Sequence, residues 1–268
     1  MSQTPSPSDM TKMPLVYPIP DGDRVRVRKD IEYAAASAGP LAMDLYLPPA
    51  PGARVPAVVF VSGYADAALQ AFTGSKLKEW QSYAGWGKLV ALSGIAGVTY
   101  SAQQPAADLG TLLQYLYNHA AELGIDEKRI ALWACSGNVP NALAALMQGS
   151  GYTFPCAALC YGYTLDLDGA TAVADTAKTY GFANPAAGKT VEDLAATPLL
   201  LVRAGQDQLP GLNRALDQFA AKALARNLSL SLVNHAEGPH AFDLFHDSDT
   251  SREVMRQVLA FLRFHLKA

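Results

Sequence analysis

Short apolar runs that alternate with helix-length amphipathic stretches restrict the fold of this chain more than any other feature. Residues 56–61 (PAVVFV) are apolar throughout, the mark of a strand covered on both faces. Residues 95–100, 130–133, 156–161, 198–203 (PLLLVR) and 228–233 also read as strands. Helical patterns fill the intervals at 77–93, 105–123, 139–146, 212–226 and 251–266, although Gly85 and Gly87 weaken the first. Strand–helix alternation of this kind implies an α/β fold with a mostly parallel central sheet and helices on both faces. Ahead of it, residues 24–33 and 41–47 alternate apolar with polar, and Gly39-Pro40 between them suggests a hairpin-like connection.

Domain organisation follows from the same pattern. Residues 1–20 are rich in Ser, Thr and Pro and are expected to form a flexible leader. Residues 21–268 then make one α/β domain, in which about three quarters of the unfolded surface can be buried at this length. Residues 162–196 exceed what a simple crossover needs and are rich in Gly, Ala and Pro toward the middle. They form either one crossover helix with a loop or a small cap.

The net charge of −3 over 268 residues argues against a nucleic-acid partner, which would need a basic face. No run is apolar enough to span a bilayer and the N-terminus has no signal-peptide pattern, so a cytoplasmic protein without a membrane partner is expected. The three cysteines, Cys135, Cys156 and Cys160, lie in or beside strand-like segments and read as reduced core thiols. No cofactor or metal is expected. His235, Glu237, His240, Asp243, His246 and Asp247 cluster in sequence, but their spacing fits no compact zinc pattern.

The chemistry centres on Ala134-Cys135-Ser136-Gly137-Asn138, between the strand at 130–133 and the helix at 139–146, whose first turn admits Pro140. A serine at a sharp strand-to-helix turn is either a helix cap or a nucleophile held above a sheet. Small residues are wanted two positions before and after it. Centring on Ser136 places Ala134 and Asn138 there, and Asn tolerates unusual backbone angles. Centring on Cys135 would place Trp133, a poor fit.

A serine hydroxyl needs a base, a group that orients the base, and donors for the developing oxyanion. In an open parallel sheet these come from loops at the carboxyl ends of strands, in the order Ser, acid, His. Asp207 follows the strand at 198–203, and His240 follows that at 228–233. Asp166 and Asp168 are rival acids, and His235 is the main rival base, with His246 close behind. His119 and His265 lie within helices and are expected to be solvated. Arg203 is unusual at a strand end and is expected to pair with Glu237 or another loop carboxylate. One oxyanion donor should be the Gly137 N–H, at a helix N-terminus. The other should come from Ser62-Gly63-Tyr64-Ala65, with the Tyr64 N–H as the expected donor; the Tyr64 phenol either donates there or lines the cleft.

These segments resemble the α/β-hydrolases, and among them the dienelactone hydrolase and esterase branch. The resemblance runs from about Asp44 to the C-terminus and rests on PAVVFVSGY, ACSGN, LLLVRAGQD and EGPHAF. It implies that Ser136 is a nucleophile, Asp207 the orienting acid and His240 the general base. Two departures stand out. The elbow lacks both usual glycines, and Ser62 stands where a histidine usually precedes the oxyanion glycine. Dienelactone hydrolases proper carry a cysteine nucleophile, so Ser136 implies a serine esterase. The expected activity is hydrolysis of small to medium carboxylic esters. The alternatives are a small-molecule binding protein without turnover, or a thioesterase or peptidase. Oligomeric state is not readable from the sequence.

Overall fold

The computed structural model describes residues 6–50 and 54–268. One eight-stranded sheet runs through the chain in the order β1-β2-β4-β3-β5-β6-β7-β8. Its strands are β1 Arg26–Ala34, β2 Leu41–Leu47, β3 Val55–Phe60, β4 Ala96–Tyr100, β5 Ile125–Cys135, β6 Ala157–Cys160, β7 Leu199–Ala204 and β8 Leu230–His235. β2 pairs antiparallel with β1 and with β4, and every other pairing is parallel. The helices are α1 Pro7–Met10, α2 Asp66–Thr73, α3 Gln81–Leu92, α4 Pro105–Asn118, α5 Ala120–Leu123, α6 Val139–Ala145, α7 Ala172–Tyr180, α8 Leu212–Ala225, α9 Phe242–Phe245 and α10 Asp249–Leu266. Among the described residues no helix is long and apolar enough to cross a membrane.

The strands read as continuous apolar runs because both faces are covered. Along β5, Leu132 and Ala134 enter the core beneath α4, α6 and α8, with Leu112, Leu143 and Phe219. Ala131, Trp133 and Cys135 enter the opposite core beneath α3 and α10, with Trp86, Val258 and Leu262. Burial of this kind contributes on the order of 25 cal/mol per Å² of apolar surface.

Strand register then positions the site. Cys135 pairs with Cys160, Cys160 with Val202, and Ala204 with His235. The carboxyl ends of β5 to β8 therefore lie at one level, and the loops carrying Ser136, Asp207 and His240 leave the same edge.

The leader departs from expectation. Residues 1–5 lie outside the described residues, but 6–20 pack onto the domain. Leu15 is buried, with Val16, Tyr17 and Ile19 packed beside it. The Val16 N–H donates to the Asp243 carbonyl at 2.9 Å, and the Gln81 N–H to the Thr11 carbonyl at 2.8 Å. A few apolar side chains among the prolines suffice to anchor the segment. Residues 162–196 contain one α-helix, α7, followed by a loop whose Ala183 N–H donates to the Gly63 carbonyl at 2.7 Å, and a 3-10 turn at Val191–Asp193.

Candidate active site

The chain turns sharply as β5 ends. Ser136 has φ 54°, a left-handed conformation that a non-glycine residue enters at a cost of about 1–3 kcal/mol. The turn lifts the serine side chain off the sheet edge and starts a helical turn that continues into α6, with Pro140 inside its first turn. The Ser136 Oγ lies 2.9 Å from His240 Nε2. His240 Nδ1 lies 2.6 Å from Asp207 Oδ2. The Asp207 side chain is wholly buried, and its other oxygen accepts the Leu209 N–H at 2.9 Å.

The direction of these bonds follows from donor chemistry. An ionised carboxylate only accepts, so His240 Nδ1 carries the hydrogen shared with Asp207. His240 Nε2 is then the acceptor for the Ser136 hydroxyl. The three sequence-separated residues form one continuous line of hydrogen bonds. Cys135 stays outside it: burial pushes its thiol up to about 12, and it packs against the Tyr83 hydroxyl at 3.5 Å. A buried thiol of this kind is inert.

The rivals serve the scaffold. Asp166 accepts the Val173 and Ala174 N–H groups at 2.9 and 2.8 Å and so caps α7. Asp168 pairs with Lys222 at 2.8 Å. His235 is buried 3.0 Å from Ser251 Oγ, and burial together with nearby His246 lowers its pKa. His119 stands at the end of α4, stacked on Tyr115 with 4.3 Å between ring centroids. Arg203 pairs with Asp217 of α8 at 2.8 Å, a helix carboxylate and not Glu237. Among the described residues no three His, Cys, Asp or Glu side chains converge as metal ligands would.

The loop after β3 differs from expectation in its donors. The Gly63 N–H donates to Asn138 Oδ1 at 2.7 Å. The Tyr64 N–H donates to Ser62 Oγ at 3.3 Å, and Ser62 Oγ donates back to the Tyr64 carbonyl at 3.0 Å. The Tyr64 N–H expected at the oxyanion is therefore occupied within its own loop, by the serine that stands where a histidine is usual. Gly63 allows the close approach: an ideal Cβ there would sit 2.5 Å from the Gly137 carbonyl oxygen. Asn138 has an ordinary helical conformation, φ −84° and ψ −18°. Its value lies in its amide, which bonds Gly63 on one side and donates to the Tyr83 hydroxyl at 2.9 Å on the other.

Two residues near the histidine take roles that the sequence reading did not assign, Tyr161 and Asp243, the latter named there only within a cluster that fits no zinc pattern. The Tyr161 ring meets His240 edge-on, with centroids 5.3 Å apart, and its hydroxyl donates to Asp243 Oδ1 at 2.7 Å. Asp243 Oδ2 accepts the Trp86 indole N–H at 2.9 Å. Burial raises the Asp243 carboxyl above the usual carboxylate range. Side-chain bonds between distant segments leave no periodic trace in a sequence, so the short spacing to His240 marked Asp243 without showing its partners.

A cavity of about 280 Å³ opens beside Ser136 and His240. Leu69, Phe72, Tyr83, Trp86, Trp133 and Tyr161 contribute its apolar walls. That volume lies just below the usual range for small-molecule sites, about 300–1,000 Å³.

No family model and no curated protein matches the sequence. Solved structures do match. The esterase LipW from Mycobacterium marinum aligns with a TM-score of 0.68 at 18% identity, covering 91% of this chain and 83% of its own. A Pyrobaculum calidifontis esterase gives 0.67 at 18% identity, over 98% and 90%. The thermophilic esterase Est2 from Thermogutta terrifontis, with butyrate bound, gives 0.65 at 17% identity, over 91% and 96%. With the sheet order above, the likeness shows that this chain has the α/β-hydrolase fold, without choosing among its branches.

Proposed function

We propose that this protein is a serine hydrolase that cleaves carboxylic esters of small to medium size through an acyl-enzyme on Ser136. The observation that carries this reading is the unbroken Asp207–His240–Ser136 line of hydrogen bonds at the mouth of an apolar cavity. His240 Nε2 takes the Ser136 proton as Oγ attacks the ester carbonyl carbon. Asp207 holds the ring and stabilises the imidazolium that forms. The carbonyl oxygen becomes an oxyanion, toward which the Gly137 N–H donates. Collapse breaks the bond to the alcohol oxygen, which leaves with the proton from His240. Water, deprotonated by the same nitrogen, then releases the acid and restores Ser136.

The size of the substrate follows from the volume of the cavity and from the single short α-helix, α7, in the segment that approaches the site. The butyrate in the fold-related Est2 supports a short acyl group. A series of p-nitrophenyl esters of increasing acyl length tests the proposal. The highest kcat/KM is expected on short to medium chains, and Ser136→Ala is expected to remove turnover. Best turnover on long chains would refute the size class, and undiminished turnover by Ser136→Ala would refute the nucleophile.

A further inference from the structure

We propose that the Tyr64 hydroxyl, and not a backbone N–H of its loop, is the second oxyanion donor, acting beside the Gly137 N–H; this rests on the serine-hydrolase reading above. A tetrahedral oxyanion is stabilised by donors already aimed at the point where charge develops. The backbone donor expected of this loop, the Tyr64 N–H, is occupied by Ser62 Oγ at 3.3 Å, and the neighbouring Gly63 N–H by Asn138 Oδ1 at 2.7 Å. Asn138 cannot readily release its partner. It is 3% exposed, and its Nδ2 is held by the buried Tyr83 hydroxyl, so the amide is bonded at both ends.

The Tyr64 phenol has the opposite character. Its hydroxyl makes no hydrogen bond to protein among the described residues, and Tyr64 lines the cavity together with Ser136 and His240. An ideal Cβ on Gly137 would lie 2.4 Å from the phenol oxygen. The hydroxyl therefore rests against the Cα of the residue that follows the nucleophile, the residue whose own N–H is the first donor. Burial holds the phenol above its ordinary pKa, so it keeps its proton at neutral pH. It donates a hydrogen bond to the oxyanion and gives up no proton.

The ring is also fixed in place. Phe182 packs edge-on against Tyr64 with centroids 6.0 Å apart, and stacks on Tyr163 at 5.5 Å. The Ala183 N–H fastens the same turn to the Gly63 carbonyl at 2.7 Å. The segment after β6 thus works as a buttress that holds a donor in position before substrate arrives, which is where preorganised electrostatics gains its effect.

Tyr64→Phe keeps the ring and removes only the donor. With wild type and Ser136→Ala as references, it should lower kcat on p-nitrophenyl butyrate by roughly 10²–10³-fold and leave KM within about threefold. Its Ki for a trifluoromethyl ketone, which forms the same tetrahedral oxyanion on serine, should rise by a similar factor, while the urea unfolding midpoint stays in place. A purely packing role would leave kcat and this Ki unchanged. A Tyr64→Phe enzyme within about threefold of wild type in kcat would overturn the assignment and leave the hydrolase reading standing. Wild type no faster than Ser136→Ala would overturn both.

Discussion

Ser136 Oγ and His240 Nε2 lie 2.9 Å apart although 104 positions separate them in the chain. Two loops from parallel strands meet there because β5 and β8 end at one level of the sheet. The hydrogen bond gives the serine a base, and the strained backbone at Ser136 gives it access to substrate. Groups that act as one unit lose activity together. Ser136→Ala and His240→Ala should each lower kcat on a short p-nitrophenyl ester by several orders of magnitude, and the double variant should be no worse than either alone. Multiplying losses in the double variant would mean that the two residues act separately.

Asp207 fixes which imidazole nitrogen carries hydrogen. Asp207→Asn keeps the shape of the side chain but presents an NH₂ that can reverse that bond. It should lower kcat by about 10³–10⁴-fold with little change in KM. Steady-state kinetics beside an unchanged circular dichroism spectrum checks this; activity near wild type would remove Asp207 from the relay.

Asn138 occupies a position where hydrolase elbows usually carry glycine, yet Asn138→Gly is predicted to harm this protein. The substitution strands the buried Gly63 N–H and removes a partner of the Tyr83 hydroxyl. It should cost about 1–3 kcal/mol in urea unfolding. Activity should fall as well, because the loop that carries Tyr64 loses its tie to the elbow. Equal stability and activity would show the amide to be dispensable.

Burial pushes the Asp66 carboxyl up to about 6, from 3.8. Its Oδ1 has no hydrogen-bond partner among the described residues, and Lys76 is 3.8 Å from its other oxygen. Between those two values the folded protein holds more protons than the unfolded chain, so this group lowers stability as pH rises through that window. Above about pH 6 the penalty is fully present and constant. Asp66→Asn should remove this dependence, so the difference in Tm between variant and wild type should grow between about pH 4 and about pH 6.5. Parallel Tm curves would contradict it.

Much of the scaffold was legible because burial on two faces forces continuous apolar strands, and strand ends in a parallel sheet point to the loops that carry the site, which the order Ser, acid, His usual in α/β-hydrolases then selects among. Ser136, Asp207 and His240 were named on that basis, and the structure brings their side chains together. Other features had no local signal. α2 spans only Asp66–Thr73, too short for a helical period to stand out. Gly87 weakened the reading of α3, but glycine is needed there: an ideal Cβ would lie 2.6 Å from the Tyr46 ring. The stretch read as one helix over 105–123 breaks at His119, whose φ of −110° separates α4 from α5. Proline-rich composition masked the anchoring of residues 6–20 through Leu15. The loss of the Tyr64 N–H to Ser62, and the Tyr161–Asp243 pair behind the histidine, depend on side-chain geometry that no spacing encodes.

The most direct test of the nucleophile is labelling with a fluorophosphonate probe, followed by intact mass and peptide mapping. One adduct per chain on the peptide containing Ser136 is expected, abolished in Ser136→Ala and slowed in His240→Ala. Labelling that persists in Ser136→Ala, or wild-type protein that takes no label, would contradict Ser136 as the nucleophile.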